Sequence, residues 1–149
     1  MPYQIAYTRP DTSEGSPVNL QPSILIVDDE ELILVAMTDY FTQQGFAVDC
    51  SRDVRGAEAL LAMNRYAAVI TDLQLTKFND SQGLDLITYV RERWPSVRII
   101  LLTAYGSPQV EAEAHRRGVD AFLRKPSSLS EVERIMRCLL ASRQESHRR

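Results

Sequence analysis

The chain has 149 residues, a quarter of them charged and 44% hydrophobic, with a net charge of −3. That supplies apolar material for one core and one domain, and the acidic balance lacks the basic footprint that nucleic-acid binding calls for. Cys50 and Cys138 lie far apart without a CxxC spacing, which argues against a zinc site or disulfide framework and fits a reducing compartment; no apolar run approaches the ~20 residues needed to cross a bilayer.

Residues 1–22 hold four prolines among Ser, Thr, Asn and Gln, without a signal peptide's basic start and apolar centre. They are expected to form an extended or disordered arm, and the protein to be cytoplasmic. From Ser23 onward strands and helices alternate. The run SILIV is short, apolar and rich in β-branched residues, which predicts a buried strand. In EELILVAMTDYFTQQG the spacing predicts a helix with Ile33, Ala36, Met37, Tyr40 and Phe41 facing inward and Gly45 as its stop. Leu32, Leu34 and Val35 fall outside that stripe. FAVDC is the second strand, and DVRGAEALLAMNRY a short helix with Asp53 as N-cap. AAVIT is the third strand. GLDLITYVRERW is a helix halted before Pro95. VRIILLT is the fourth strand, and SPQVEAEAHRRG a helix with Ser107 as N-cap, Pro108 in the first turn and Gly118 as the stop. VDAFLR is the fifth strand. The last helix, in SLSEVERIMRCLLASRQ, carries Leu129, Val132, Met136, Leu139 and Leu140 on one stripe, with Cys138 off it beside Ile135.

Five βα units with continuously apolar strands predict a doubly wound α/β domain over residues 23–142. It is a five-stranded parallel sheet, (βα)5, with helices on both faces, followed by a short tail at 143–149. In such sheets the working residues sit beyond the carboxyl ends of the strands. Those ends carry Asp28 and Asp29, then Asp72, then Thr103, then Lys125 with Pro126. Taken singly, Asp28 and Asp29 could cap a helix, Asp72 could open a turn, Thr103 could merely end a strand and Lys125 could be solvated. Their coincidence on one edge needs a further reason. Two unit charges ~4 Å apart repel by ~4 kcal/mol at an effective dielectric of ~20, so clustered carboxylates call for a cation. Hard oxygen ligands suit Mg²⁺, with Mn²⁺ as a substitute. A carboxylate, a divalent metal, a lysine and a hydroxyl are together the parts for phosphoryl transfer.

VDDE after the first strand, TD at the end of the third, TA after the fourth and KP after the fifth resemble the receiver domain of bacterial two-component response regulators. The resemblance runs from Ile24 to about Ala141. It implies the flavodoxin-like strand order 2-1-3-4-5. Asp72 would be the phosphoacceptor, taking its phosphoryl group from a phosphohistidine on a sensor histidine kinase or a histidine phosphotransfer protein. Asp29 would bind Mg²⁺ directly, Asp28 largely through water, and the Gln74 backbone carbonyl would add a ligand. Lys125 would pair with the acyl phosphate, Thr103 would move to a phosphoryl oxygen, and Phe122 would be the aromatic switch. Lys125–Pro126 would be a cis peptide. Gln74 and Tyr105 occupy the positions that tune phosphate lifetime, and Tyr105 is expected to shield the bond. The first helix would meet the histidine-bearing partner, which gives its outer leucines and Val35 a docking role beside the plainer reading of scattered surface residues.

The chain departs from the family after the acceptor, where a Met-Pro or Leu-Pro pair is usual. Here the pair is Leu75-Thr76, and Gly83 comes later, after added residues that include Lys77, Asn79 and Asp80. A tolerated surface insertion is one reading, a partner-selecting rim the other. Only SRQESHRR or so follows the last helix, so a stand-alone receiver is expected, working through a downstream protein target, relay or homodimer contacts, without nucleic acid or membrane. It would be a phosphoacceptor and not an enzyme, at most dephosphorylating itself slowly. A truncated longer regulator and a receiver-like interaction module that is never phosphorylated remain alternatives. An aspartate-nucleophile phosphatase would need an acid where Gln74 stands, and a flavodoxin-type phosphate binder would not place VDDEEL in its first loop.

Overall fold

The computed structural model describes residues 21–75 and 81–147, with side chains through Ser142. The arm at 1–20 and the added loop residues Lys77, Asn79 and Asp80 lie outside the described residues. Ten elements alternate: β1 Ser23–Val27, α1 Glu31–Gln43, β2 Ala47–Ser51, α2 Val54–Met63, β3 Ala68–Thr71, α3 Gln82–Arg93, β4 Arg98–Thr103, α4 Pro108–Arg117, β5 Ala121–Arg124 and α5 Leu129–His147. The five strands pair in parallel in the order β2-β1-β3-β4-β5, as expected. The last helix runs to His147, past the boundary drawn at residue 142 from the sequence.

The continuous apolar strands feed two cores, because successive side chains leave a strand on opposite faces. Leu25 and Val27 join α2, α3 and α4 through Leu61, Ile87, Val90 and Ala114. Ile24 and Ile26 join α1 and α5 through Leu34, Met37, Phe41, Val132 and Met136. Burying a large aliphatic side chain contributes roughly 1.5–3 kcal/mol, so this alternation decides on which face each helix must lie.

Local signals placed most helix ends. Asp53 accepts from the Gly56 N–H at 2.7 Å and Ser107 from the Val110 N–H at 3.2 Å. Gly45 and Gly118 take the left-handed φ of 96° and 106° that closes a helix. The α1 stripe needs correcting. Leu34 is buried with Met37 and Phe41, whereas Ala36 is exposed and Ile33 and Tyr40 only flank the core. The spacing 34, 37, 41 is equally helical, and burying leucine gains more than burying alanine, so the helix is turned toward the larger side chain. Leu32 and Val35 do face outward, 83% and 54% exposed.

Candidate functional site

The strand order reverses between β1 and β3, which opens a crevice beyond their carboxyl ends. Here the sheet extends into the residues that follow the strands. The Asp28 N–H donates to the Ser51 carbonyl at 3.1 Å, the Asp72 N–H to Val27 at 3.0 Å and the Lys125 N–H to Thr103 at 2.8 Å. Three functional side chains therefore leave backbone that the ladder still holds, which sets their directions before any side-chain contact forms.

Asp28 and Asp72 are buried, at 3% and 8% exposure. Lys125 Nζ lies between them, 3.0 Å from Asp28 Oδ2 and 3.1 Å from Asp72 Oδ2. The other Asp28 oxygen accepts from the Glu30 N–H at 2.9 Å, and the other Asp72 oxygen from the Gln74 N–H at 3.3 Å. Neither Asp28 nor Asp29 is the N-cap of α1. That position is Glu30, whose side chain makes no capping bond, so the capping explanation for the acid pair does not hold. One carboxylate oxygen from each of Asp28, Asp29 and Asp72 lies within 4.8 Å of the other two.

Burial pushes the Asp28 carboxyl above the ordinary aspartate range; the Glu30 N–H and Lys125 resist that rise, and the neighbouring Asp72 adds to it. Burial also disfavours the Lys125 ammonium. The hydrogen bond and charge of Asp28, joined by those of Asp72, outweigh it and hold the lysine above its usual range, so it stays charged. Two of the three clustered carboxyl groups thus share one ammonium, and the third, on Asp29, has no cation of its own among the described residues. Their hard oxygens, close spacing and shortage of positive charge fit a small divalent cation such as Mg²⁺.

The remaining predicted residues surround this cluster. Thr103 is fully buried, and its hydroxyl accepts from the Tyr105 N–H at 3.1 Å, making no hydrogen bond to the carboxylates among the described residues. Lys125–Pro126 is a cis peptide. Phe122 is half-buried with its ring against Gly106, where an added Cβ would come within 2.6 Å of it. The Arg124 guanidinium lies 5.3 Å from that ring and is ion-paired to Glu111 at 3.0 Å. Tyr105 is 65% exposed. The structure thus unites Asp28, Asp29, Asp72 and Lys125, joins Gln74 and Thr103 to them through backbone bonds, and leaves Phe122 and Tyr105 outside the charge cluster.

Two contacts escaped sequence reasoning. Gly83 donates its N–H to the Leu73 carbonyl at 3.0 Å, and a Cβ there would collide with the Asp72 carbonyl and Leu73 backbone. The clue was a glycine in a helical first turn, where most residues form helix better. The second is Arg52, whose Nε and Nη2 donate to the Asp29 carbonyl at 3.3 and 3.1 Å. It joins two loops far apart in sequence, and no local pattern marks it.

Residues 24–137 match the family described as the response regulator receiver domain. The photosynthetic apparatus regulatory protein RegA of Cereibacter sphaeroides is 33% identical over 110 residues, covering 74% of this chain and 58% of RegA. The response regulator PilR of Pseudomonas aeruginosa is 32% identical over 119 residues, 80% of this chain and 26% of PilR. The chain therefore spans little more than half of RegA and about a quarter of PilR. Among solved structures, a CheY-like receiver domain protein from Methanospirillum hungatei superposes with a TM-score of 0.80 at 21% identity, covering 85% of this chain and 98% of that one. The signal receiver domain of an HD domain-containing protein from Pseudomonas fluorescens gives 0.77 at 27% identity, with coverages of 84% and 98%. The family match takes in residues of all five strands and those at their carboxyl ends, and on that ground the chain belongs to the receiver-domain family of two-component response regulators.

Proposed function

We propose that this protein is a phosphoacceptor, and that Asp72 receives a phosphoryl group from a phosphohistidine on a sensor histidine kinase or histidine phosphotransfer protein. The observation that carries this reading is the Lys125 ammonium set between Asp28 and Asp72 at 3.0 and 3.1 Å. In the reaction an Asp72 carboxylate oxygen attacks phosphorus, the N–P bond breaks, and its electron pair returns to the imidazole nitrogen. The product is an acyl phosphate on Asp72.

Asp28, Asp29, Asp72 and the Gln74 carbonyl would hold Mg²⁺, or Mn²⁺ in its place, which when bound would supply positive charge to offset that of the phosphoryl oxygens. The chain's own residues do the rest. Asp72 is aimed by β3 and by the Gln74 N–H. Lys125 pairs with the product's added charge, which eases its hold on Asp72. Thr103 trades its bond from the Tyr105 N–H for one to a phosphoryl oxygen, at a cost of about 1 kcal/mol that the charge-assisted bond offsets. That movement loosens the loop in which Gly106 lies against Phe122, and so gives the ring a route to switch.

The partner's histidine approaches over α1, the helix that follows the Asp28–Asp29 loop and exposes Leu32 and Val35. Output passes by protein contact, to a target or a second copy, and not through nucleic acid. The protein is a signalling acceptor in the cytoplasm and not a turnover enzyme; no helix among the described residues is long and apolar enough to cross a membrane. The test is incubation with Mg²⁺ and a small acyl-phosphate donor, followed by proteolysis and mapping of the hydroxylamine-sensitive residue. Modification at Asp72 alone is expected. An unmodified Asp72 under conditions that phosphorylate a control receiver would favour the unphosphorylated interaction module.

A further inference from the structure

The β1–α1 loop carries two of the three clustered carboxylates, yet the structure holds them unequally. Asp28 is fixed at its backbone by Ser51 and at both carboxylate oxygens by Glu30 and Lys125. The Asp29 carboxylate has no hydrogen bond or ion pair among the described residues, and only its carbonyl is held, by Arg52.

Arg52 occupies the position where the β1–β2 pairing runs out. Val27 is in register with Ser51, and the Asp28 N–H makes the last backbone bond, to the Ser51 carbonyl. The Arg52 side chain adds one more link, to the Asp29 carbonyl. Its own loop is braced: Ser51 Oγ bonds to the backbone of Asp53, and the Asp53 carboxylate caps α2.

The peptide that Arg52 holds is the informative one. The carbonyl of Asp29 and the N–H of Glu30 belong to the same peptide group. Arg52 donates to its oxygen, and its N–H donates to Asp28 Oδ1 at 2.9 Å. A guanidinium on the carbonyl fixes that peptide plane and polarises it, so its N–H becomes a stronger donor to the carboxylate. We propose that Arg52 is a positioning residue that, through the Asp29–Glu30 peptide, orients both acids of the β1–α1 loop for a divalent cation.

This inference rests on the cation reading of the acidic cluster, and a sign separates it from simple electrostatics. Removing a positive charge near a cation site should tighten cation binding. Removing a positioning group should weaken it, as loss of outer partners does at metal sites. The experiment is calorimetric titration of Mg²⁺ into unphosphorylated wild type, Arg52→Ala and Arg52→Lys, with the Glu30 amide followed by NMR in the metal-free proteins. Arg52→Ala is expected to bind Mg²⁺ about fivefold more weakly, less than the ~10–100-fold typical of outer partners because the contact is exposed. Its Glu30 amide proton should move upfield, and Arg52→Lys should recover part of both effects. Equal or tighter Mg²⁺ binding by Arg52→Ala, or an unmoved Glu30 amide in a variant with wild-type thermal stability, would overturn the role of Arg52. Absence of Mg²⁺ binding by the wild type would instead overturn the cation reading on which it depends.

Discussion

Gly83→Ala distinguishes a positional constraint from helix propensity, because the two predict opposite signs. Alanine for glycine inside a helix ordinarily adds up to about 1 kcal/mol of stability. At Gly83 the new Cβ would stand 2.6 Å from Leu73 Cα and 2.7 Å from the Leu73 carbonyl oxygen, against ordinary contact from 3.4 Å. It would crowd the Asp72 carbonyl as well. All three obstacles are backbone, so no side chain can swing aside, and the start of α3 or the acceptor loop must retreat by several tenths of an ångström. Overpacking of this kind costs about 1–3 kcal/mol, and the bond from the Gly83 N–H to Leu73 weakens with it. The net expectation is a loss of about 1–2 kcal/mol, which lowers a urea midpoint by roughly 0.5–1 M for a small domain. Because the retreating segment carries Asp72, phosphoryl uptake should slow in the same variant. Urea unfolding followed by Trp94 fluorescence, beside an uptake time course, provides the assay. A variant that is more stable than wild type with undiminished uptake would refute the packing argument.

Lys125→Met removes the ammonium shared by Asp28 and Asp72; phosphoryl uptake should fall about 100–1000-fold, while calorimetry should show tighter Mg²⁺ binding because a repelling charge has gone. In metal-free protein the Asp28 carboxyl, followed by carbon NMR, should titrate above the ordinary aspartate range because it is buried. The folded state then holds that proton more tightly than the unfolded chain, so Asp28 contributes stability that is fully present below the ordinary range and is lost as pH rises through the raised value; a midpoint at or below the ordinary value would contradict this. The phosphorylated form should last minutes or longer, and Tyr105→Ala should shorten it; a rapid decay unchanged by the substitution would remove Tyr105 as a shield.

The parts of this molecule visible in its sequence are those written in local signals. Asp53, Ser107, Pro108 and Gly118 each act on backbone a few residues away, and the structure finds them in those roles. Uninterrupted apolar strands implied a sheet covered on both faces, and the strand-end positions of Asp28, Asp29, Asp72 and Lys125 implied their convergence. What stayed hidden depends on rotation or distance. The α1 stripe was misplaced at Leu34 and Ala36 because two overlapping helical faces are both apolar, and only packing against β2 and α5 chooses between them. The Arg52 bond to Asp29 spans two loops, and the contact of Gly83 with Leu73 spans the acceptor loop, so neither leaves a periodic trace.

The most direct test of the account is the number of phosphoryl groups taken up from a small phosphodonor, read by intact mass for wild type and Asp72→Asn, with Mg²⁺ and with a chelator. Wild type in Mg²⁺ should carry one group, and Asp72→Asn, or wild type in chelator, none. Equal uptake by Asp72→Asn, or full uptake without a divalent cation, would contradict it.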